Sequence, residues 1–312
     1  MNKIPRIAVV GSLNMDIVVE ADRPPQMGET VPGNRVHFIP GGKGANQAVA
    51  CARLGAQTVM IGSVGKDAFG QQLLTALQND GIVTQTIKQV EDASTGIASI
   101  LLSQGDNSIV VVAGANAHCL PEDLDQQRSS IEQADAILLQ LEVPLPTVLY
   151  AAKQAKQLGK QVILNPAPAQ DLPAELLANV DVLIPNEYEL ALLAGVEVTD
   201  ETSLRKAMQL LLDKGVGIVI TTLGADGAAY LTDDGTFGRV TGYQVDVVDT
   251  TGAGDSFNAG VAVSLAKGSS VQDAIRYASM VGALAVTKLG AQQGMPTADE
   301  VEQFSRQRGE LA

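Results

Sequence analysis

The stretch Asp249-Thr-Thr-Gly-Ala-Gly-Asp255 places a carboxylate directly after a turn of small residues, at the mouth of an apolar-periodic segment (Phe257, Val261, Leu265) that reads as a helix. Backbone N–H groups of Gly252, Ala253 and Gly254 can converge there on an anion, helped by the positive end of the helix. Glycine leaves room for close approach and tolerates positive φ. An anion cradle with a carboxylate beside it suits phosphoryl transfer to an alcohol. The amides hold the charge that builds on the moving group, and Asp255 takes the hydroxyl proton. An N-capping aspartate after a glycine turn is the plainer alternative.

Outward from this turn, strand and helix patterns alternate almost end to end. Strands are predicted at Arg6–Gly11, Met15–Glu20, Asn34–Ile39 and Gln57–Gly62, and helices over Ala45–Leu54 and Ala68–Asn79, stopped by Gly55 and Gly81. Short strands follow at Thr84–Val90, Gly96–Ser103 and Ser108–Val112, with Gly105-Asp-Asn107 a hairpin signal between the last two. After Pro121, strands Ala136–Leu141, Gln161–Leu164, Val182–Ile184 and Gly217–Thr222 alternate with helical stretches. Gly227–Thr232 and Thr236–Thr241 read as an edge hairpin, and Ser256–Ala266, Val271–Lys288 and Ala298–Arg306 as closing helices. The expected fold is α/β, a doubly wound, mostly parallel sheet flanked by helices. The early hairpin-type strands do not suit a parallel core. They read as a small β-sheet lid, contributed by about residues 12–40 and 95–113 of a single domain spanning residues 1–312. An open sheet with an apolar face needs a partner, so a homodimer through the lid is expected.

Of the 312 residues 46% are hydrophobic, enough for a large core in one or two domains. The formal net charge of −14 and the lack of a Lys/Arg cluster argue against nucleic acid as the main partner. They do not forbid an anionic substrate, because amides and a local cation can bind phosphate inside an acidic protein. Cys51 and Cys119 lie far apart without CxxC spacing, which predicts a reducing, cytoplasmic setting. His37 and His118 are too few for a His-rich metal site. Ile7–Val10 is too short for a signal segment, and no stretch approaches the roughly 20 apolar residues of a membrane span.

Further candidates lie in loops where strands end. Gly41-Gly42-Lys-Gly-Ala-Asn46 opens the first long helix; its glycines allow close passage to a ligand, and Asn46 offers a donor and an acceptor for sugar hydroxyls. A tight strand-to-helix turn with Lys43 as a solvated charge is the alternative. Asn14 and Asp16 follow the first strand, where ligands of open α/β sheets bind, and can hold vicinal hydroxyls; an Asx turn after Gly11 is equally compatible. Glu142 ends strand Ala136–Leu141, with charge complementarity to a following helix as its rival account. Asn186-Glu-Tyr-Glu189 can orient water around a magnesium–phosphate group or form an ordinary capping box. Thr222-Leu-Gly-Ala-Asp-Gly227 suits nucleotide phosphates or a plain hairpin turn. Gly62–Asp67 and Asn165–Pro168 read mainly as structural loops. The chain carries no GxxxxGK[ST], so any ATP chemistry is not P-loop chemistry; with no GxGxxG after its first strand a dinucleotide site is unsupported, and no GxSxG elbow occurs.

Together these segments resemble the ribokinase-type carbohydrate kinase family over essentially the whole chain. Gly41–Asn46 with Gln47 resembles the family's first motif and Asp249–Asp255 its second, while Asn186–Glu189 and Thr222–Gly227 match its phosphate–magnesium and nucleotide segments. The resemblance implies ATP-dependent transfer to the 5-hydroxyl of D-ribose, with 2-deoxyribose, another sugar or a non-catalytic sugar-binding role as alternatives. It makes Asp255 the general base and Gly252, Ala253 and Gly254 the anion hole. Asn14, Asp16, Gly42, Lys43, Gly44, Ala45, Asn46 and Glu142 would hold the sugar. Asn186, Glu189, Thr222, Leu223, Gly224, Ala225, Asp226, Gly227, Gly254, Asp255 and Ser279 would hold ATP with magnesium (Mg2+). A potassium ion (K+) would sit beside the anion hole on the Asp249 carboxylate and on Thr251, Ala285, Lys288 and Gly290. Gly294 stands where a serine can help to hold the cation, so a carbonyl or water would serve there. Ser279 is shorter than the His or Asn sometimes found beside adenine.

Overall fold

The computed structural model describes residues 3–104 and 106–309. The described strands are β1 (Arg6–Val10), β2 (Asn14–Glu20), β3 (Arg35–Gly41), β4 (Gln57–Gly65), β5 (Ile87–Val90), β6 (Gly96–Ser103), β7 (Asp106–Val112), β8 (Ala136–Leu139), β9 (Gln161–Leu164), β10 (Val182–Leu183), β11 (Ile218–Thr222), β12 (Ala228–Thr232) and β13 (Phe237–Val240). They form two sheets. The larger runs β13-β12-β11-β10-β9-β8-β1-β4-β5 and is parallel except for the antiparallel pairs β11–β12 and β12–β13.

Both faces of this sheet are covered, which is why β1 is an unbroken apolar run rather than an alternating one. Ile7 and Val9 enter the core beneath helices Lys43–Arg53, Ala253–Ala266 and Val271–Ala285. Ala8 and Val10 enter the opposite core, beneath helices Leu145–Gln157 and Glu201–Leu212. From β1 the chain moves to β4 and β5 on one side and later to β8 and β9 on the other. The strand order therefore reverses at β1, and the crevice outside its carboxyl end is where such sheets bind ligands. Ser12, the loop Gln140–Glu142 and Asn165 all follow strands ending there.

The smaller sheet runs β3-β2-β6-β7. It is mixed: β2 is antiparallel to β3 but parallel to β6, and β6 is antiparallel to β7. β7 is exposed along its whole length, including the apolar run Ile109–Val112.

Several boundaries differ from expectation. Only Ile87–Val90 of the Thr84–Val90 stretch is a strand, and it extends the large sheet. Asp106 and Asn107 belong to β7, paired with Ser103 and Leu102, so the hairpin turns earlier than its sequence signal; Gly105 lies outside the described residues. β8 stops at Leu139, and the helix from Val271 stops at Ala285 rather than Lys288. No helix among the described residues is long and apolar enough to cross a membrane.

Candidate active site

Helix Ala253–Ala266 starts from Gly252, whose φ of 77° is left-handed and whose cap uses no side chain. Asp255 is therefore not an N-cap. Its carboxylate is 7% exposed and turns toward helix Lys43–Arg53, where Oδ2 accepts from Asn46 Nδ2 at 2.9 Å and Oδ1 from Gln47 Nε2 at 3.0 Å. Burial pushes the Asp255 pKa up; Lys43 and the two amides pull it back and Glu142 opposes them, leaving it above the ordinary carboxylate range. Burial also works against the Lys43 ammonium, but Asp255, Glu142 and Glu189 together outweigh it, and Lys43 stays protonated.

Asn14 and Asp16 lie on β2 two residues apart, hence on one face of the strand, not in an Asx turn. Asn116 donates to Asn14 Oδ1 at 2.7 Å and to the Leu13 carbonyl at 3.1 Å, which fixes the Asn14 side chain. Burial, then Glu142 and Asp255, raise the Asp16 pKa to about 7. Gly41 backs this carboxylate so closely that a Cβ there would lie 2.3 Å from Asp16 Oδ2. Glu142 lies in the loop past β8. It accepts from Ser12 Oγ and, at 3.0 Å, from the Lys43 amide, so it complements the start of helix Lys43–Arg53 and not the helix that follows it. Gly42 is the N-cap of helix Lys43–Arg53, and the Gly44 amide donates to Ser12 Oγ at 3.3 Å. Ala45, expected at the sugar, is instead a core residue, because the helix turns its methyl inward.

On the other side of the Gly252–Asp255 turn lies a cavity of about 360 Å³. It gathers Thr222, Gly224, Ala225 and Gly227 with Gly254 and Ser279. The Ser279 Oγ is buried without a hydrogen-bond partner among the described residues. Leu223, expected here, is 8% exposed and packs into the core, while Asp226 is exposed on the outside of the turn and is not among the cavity walls. The amide cradle also differs in membership. The Ala253 N–H is committed to the Thr250 carbonyl at 3.2 Å, whereas the amides of Gly252, Gly254 and Asp255 have no acceptor among the described residues. Asn186 and Glu189 form the reciprocal capping box, with bonds of 2.9 and 2.8 Å. Glu189 is nevertheless buried and electrostatically coupled to Lys43 and Asp255, and burial raises its pKa. Asn186 pairs with Thr222 across a single bridge.

Asp249 braces the loop on the far side of the cradle. Its Oδ1 accepts from the Thr251 amide and hydroxyl, at 2.9 and 2.6 Å, and Oδ2 from the Gly290 amide at 2.8 Å. Burial opposes ionisation, but these donors win and hold Asp249 below the usual range. The Lys288 ammonium pairs with Glu300 at 2.6 Å, and its backbone carbonyl lies beside Gly294. A Cβ on Gly294 would lie 2.7 Å from the Ala285 carbonyl oxygen and 3.5 Å from that of Lys288, so glycine keeps this oxygen-lined corner open.

Asn116, Gln47, Gln140, Asn165 and Gln292 were not singled out as site residues from the sequence, yet they hold Asn14, Asp255 and Asn46 in place. For Asn165 a signal existed, its position at a strand's carboxyl end. Gln140 carries the same signal in the loop past β8, whereas Asn116, Gln47 and Gln292 lie in helical segments whose pattern gives none.

A family model described as pfkB family carbohydrate kinase matches residues 5–298. The ribokinase of Haemophilus influenzae is 42% identical over 299 residues, covering 96% of this chain and 97% of that protein. The deoxyribokinase of Salmonella typhimurium is 37% identical over 301 residues, covering 96% and 97%. A solved structure of Arabidopsis thaliana ribokinase complexed with ribose and ATP matches with a TM-score of 0.93 at 35% identity, covering 96% of this chain and 98% of that one. The chain belongs to the pfkB family of carbohydrate kinases.

Proposed function

We propose that this protein transfers the γ-phosphoryl group of ATP to the 5-hydroxyl of D-ribose, in the cytosol. The observation that carries the reading is the Asp255 turn itself. A buried carboxylate is held by Asn46 and Gln47, within electrostatic reach of Asp16 and Glu142, while Gly254 one residue before it, whose amide has no acceptor among the described residues, lines the cavity. The similarity to ribokinases, one of them solved with ribose and ATP, supports the same substrates here. The cytosolic setting is supported by Cys51 and Cys119, both buried and free.

Asn14, Asp16, Asn46 and Glu142 bind the sugar hydroxyls, and Asp255 removes the proton from the attacking oxygen. The amides of Gly252, Gly254 and Asp255 stabilise charge on the migrating phosphoryl group, and Lys43 offsets the surrounding carboxylates. Thr222, Gly224, Ala225, Gly227 and Ser279 hold the nucleotide. Glu189 would orient water on a magnesium ion carried by the ATP phosphates, which would supply neutralisation of their charge. Potassium fits the corner formed by Asp249 and the carbonyls beside Gly294, where oxygen ligands suit a hard cation. Replacing potassium by a bulky organic cation is expected to lower turnover severalfold without lowering the melting temperature by more than about 2 °C; equal turnover in both salts would remove the cation from the account. The four-stranded sheet acts as a lid, and the exposed Val36, Phe38, Leu102 and Ile109–Val112 support its pairing with a second copy.

The deoxyribokinase similarity keeps 2-deoxyribose as the second reading. A panel of D-ribose, 2-deoxyribose, hexoses and nucleosides with MgATP separates the two. Ribose is expected to give the largest kcat/KM; phosphorylation of another acceptor in preference to ribose would reassign the substrate, and absence of transfer to any would leave a sugar-binding protein.

Asp16 gives a pH signature. Its folded-state pKa of about 7 lies above its ordinary 3.8, so the native state binds more protons than the unfolded chain between those values. Stability from this group is complete below about pH 4 and is lost as pH rises through about 7. Asp16→Asn is therefore expected to raise the melting temperature of the ligand-free protein at pH 8 by roughly 2–5 °C but not at pH 4, while weakening ribose binding. Melting curves at both pH values check the sign.

A further inference from the structure

We propose that Gln47 is a positioning residue for Asp255, held by an oriented relay of side-chain amides that begins at the Ile184 carbonyl and keeps an N–H donor aimed at the acid. The proposal deepens the sugar-kinase reading and rests on it. Gln47 is fully buried on helix Lys43–Arg53. Its Nε2 lies 3.0 Å from Asp255 Oδ1 and 3.2 Å from Asn165 Oδ1, and its Oε1 accepts from Gln140 Nε2 at 2.5 Å. Asn165 Nδ2 donates to the Ile184 carbonyl at 3.1 Å.

The two ends of an amide have nearly the same shape, so the network decides which way each one faces. A backbone carbonyl only accepts. Asn165 must therefore turn its nitrogen to Ile184 and its oxygen to Gln47. Gln47 must in turn present its nitrogen to Asn165, and the same nitrogen then reaches Asp255. The Gln140 donor occupies the remaining oxygen, so Gln47 has no alternative orientation. On the other flank Gln292 Nε2 donates to Asn46 Oδ1 at 3.1 Å, which leaves the Asn46 nitrogen for Asp255. Both carboxylate oxygens thus meet donors, and neither of these neighbours offers an acceptor to a protonated Asp255.

This arrangement answers a specific electrostatic problem. Four charged groups face Asp255: Lys43 from the same helix as Gln47, Asp16 from β2, Glu142 from the loop past β8 and Glu189 from helix Glu187–Ala194. Three of them are acids, and burial adds to their effect. The amide donors stabilise the ionised form that can accept the sugar proton, and they resist its retention once the phosphoryl group has moved.

The test compares kcat–pH profiles for D-ribose with MgATP in three proteins. Gln47→Met keeps the length and removes the donor; Asn165→Ala frees the relay without touching Asp255. The expected result for Gln47→Met is a kcat at neutral pH lowered about 10-fold or more, an acidic limb moved up by about one pH unit, and a ribose KM changed less than about 3-fold. Asn165→Ala is expected to move the limb the same way by a smaller amount, and it carries the test should Gln47→Met fail to fold. A limb left in place in both variants, with kcat unchanged or lowered equally at every pH, overturns the relay. Unmodified protein that fails to phosphorylate ribose strikes instead at the sugar-kinase reading.

Discussion

Replacing Asp255 with alanine is expected to lower ribose phosphorylation by at least about 10²–10⁴-fold, the range that a positioned proton acceptor contributes. Asp255 is 7% exposed and, among the described residues, its two oxygens accept hydrogen bonds from Asn46 and Gln47 alone, so no other acid stands ready to replace it in the same orientation. Asp16 and Glu142 lie near enough to influence pKa values, but Asp16 sits on the small sheet and Glu142 is committed to Ser12 and the Lys43 amide. Ribose binding, measured by calorimetry, should change far less than kcat, because the other hydroxyl-binding groups remain. In the unmodified protein the raised Asp255 pKa has its own consequence. Activity should fall on the acid side at a higher pH than an ordinary aspartate would give, since only the ionised form accepts the proton. A variant that keeps most of its turnover would remove Asp255 from the chemistry.

The second large effect concerns Gly254. Apart from its own turn of helix, no atom of the described residues lies within 4 Å of the position a Cβ would take there, and the residue is exposed at the edge of the cavity. Gly254→Val therefore places its Cβ in open space at the cavity edge, where the added methyl groups crowd the phosphate's approach to the neighbouring amides. The expected outcome is a kcat/KM for ATP lowered about 100-fold or more, of the order lost with an oxyanion-hole donor, with a melting temperature within about 3 °C of the parent. Steady-state kinetics and a melting curve measure both. Activity near the parent level would mean that the phosphoryl group passes elsewhere.

The parts of this molecule that were legible in the sequence are those governed by local pattern. Helix Ala68–Asn79 and strands Gly96–Ser103 and Gln161–Leu164 have the limits that periodicity and turn residues predict. The Asp255 turn was legible for the same reason, since glycines before a helix announce a cradle. Long-range pairing was not legible. Nothing local says that β2 lies parallel to β6, the pairing that sets Asn14 opposite Gly96. Gln47 and Asp255 are 208 positions apart, and a buried glutamine looks like any polar residue until its partner is seen. Ala253 and Leu223 show a further limit. A motif marks a segment, but backbone geometry decides which of its amides stays free and which side chain turns into the core.

The central claim is that a single turn presents a base to the sugar on one face and free amides to the phosphoryl group on the other. A crystal structure with D-ribose, magnesium and a non-hydrolysable ATP analogue tests it most directly. The account predicts the ribose 5-hydroxyl within about 2.6–3.2 Å of an Asp255 carboxylate oxygen, with the terminal phosphate on the amides of Gly252, Gly254 and Asp255. A 5-hydroxyl turned away from Asp255, or a terminal phosphate held clear of those amides, would contradict it.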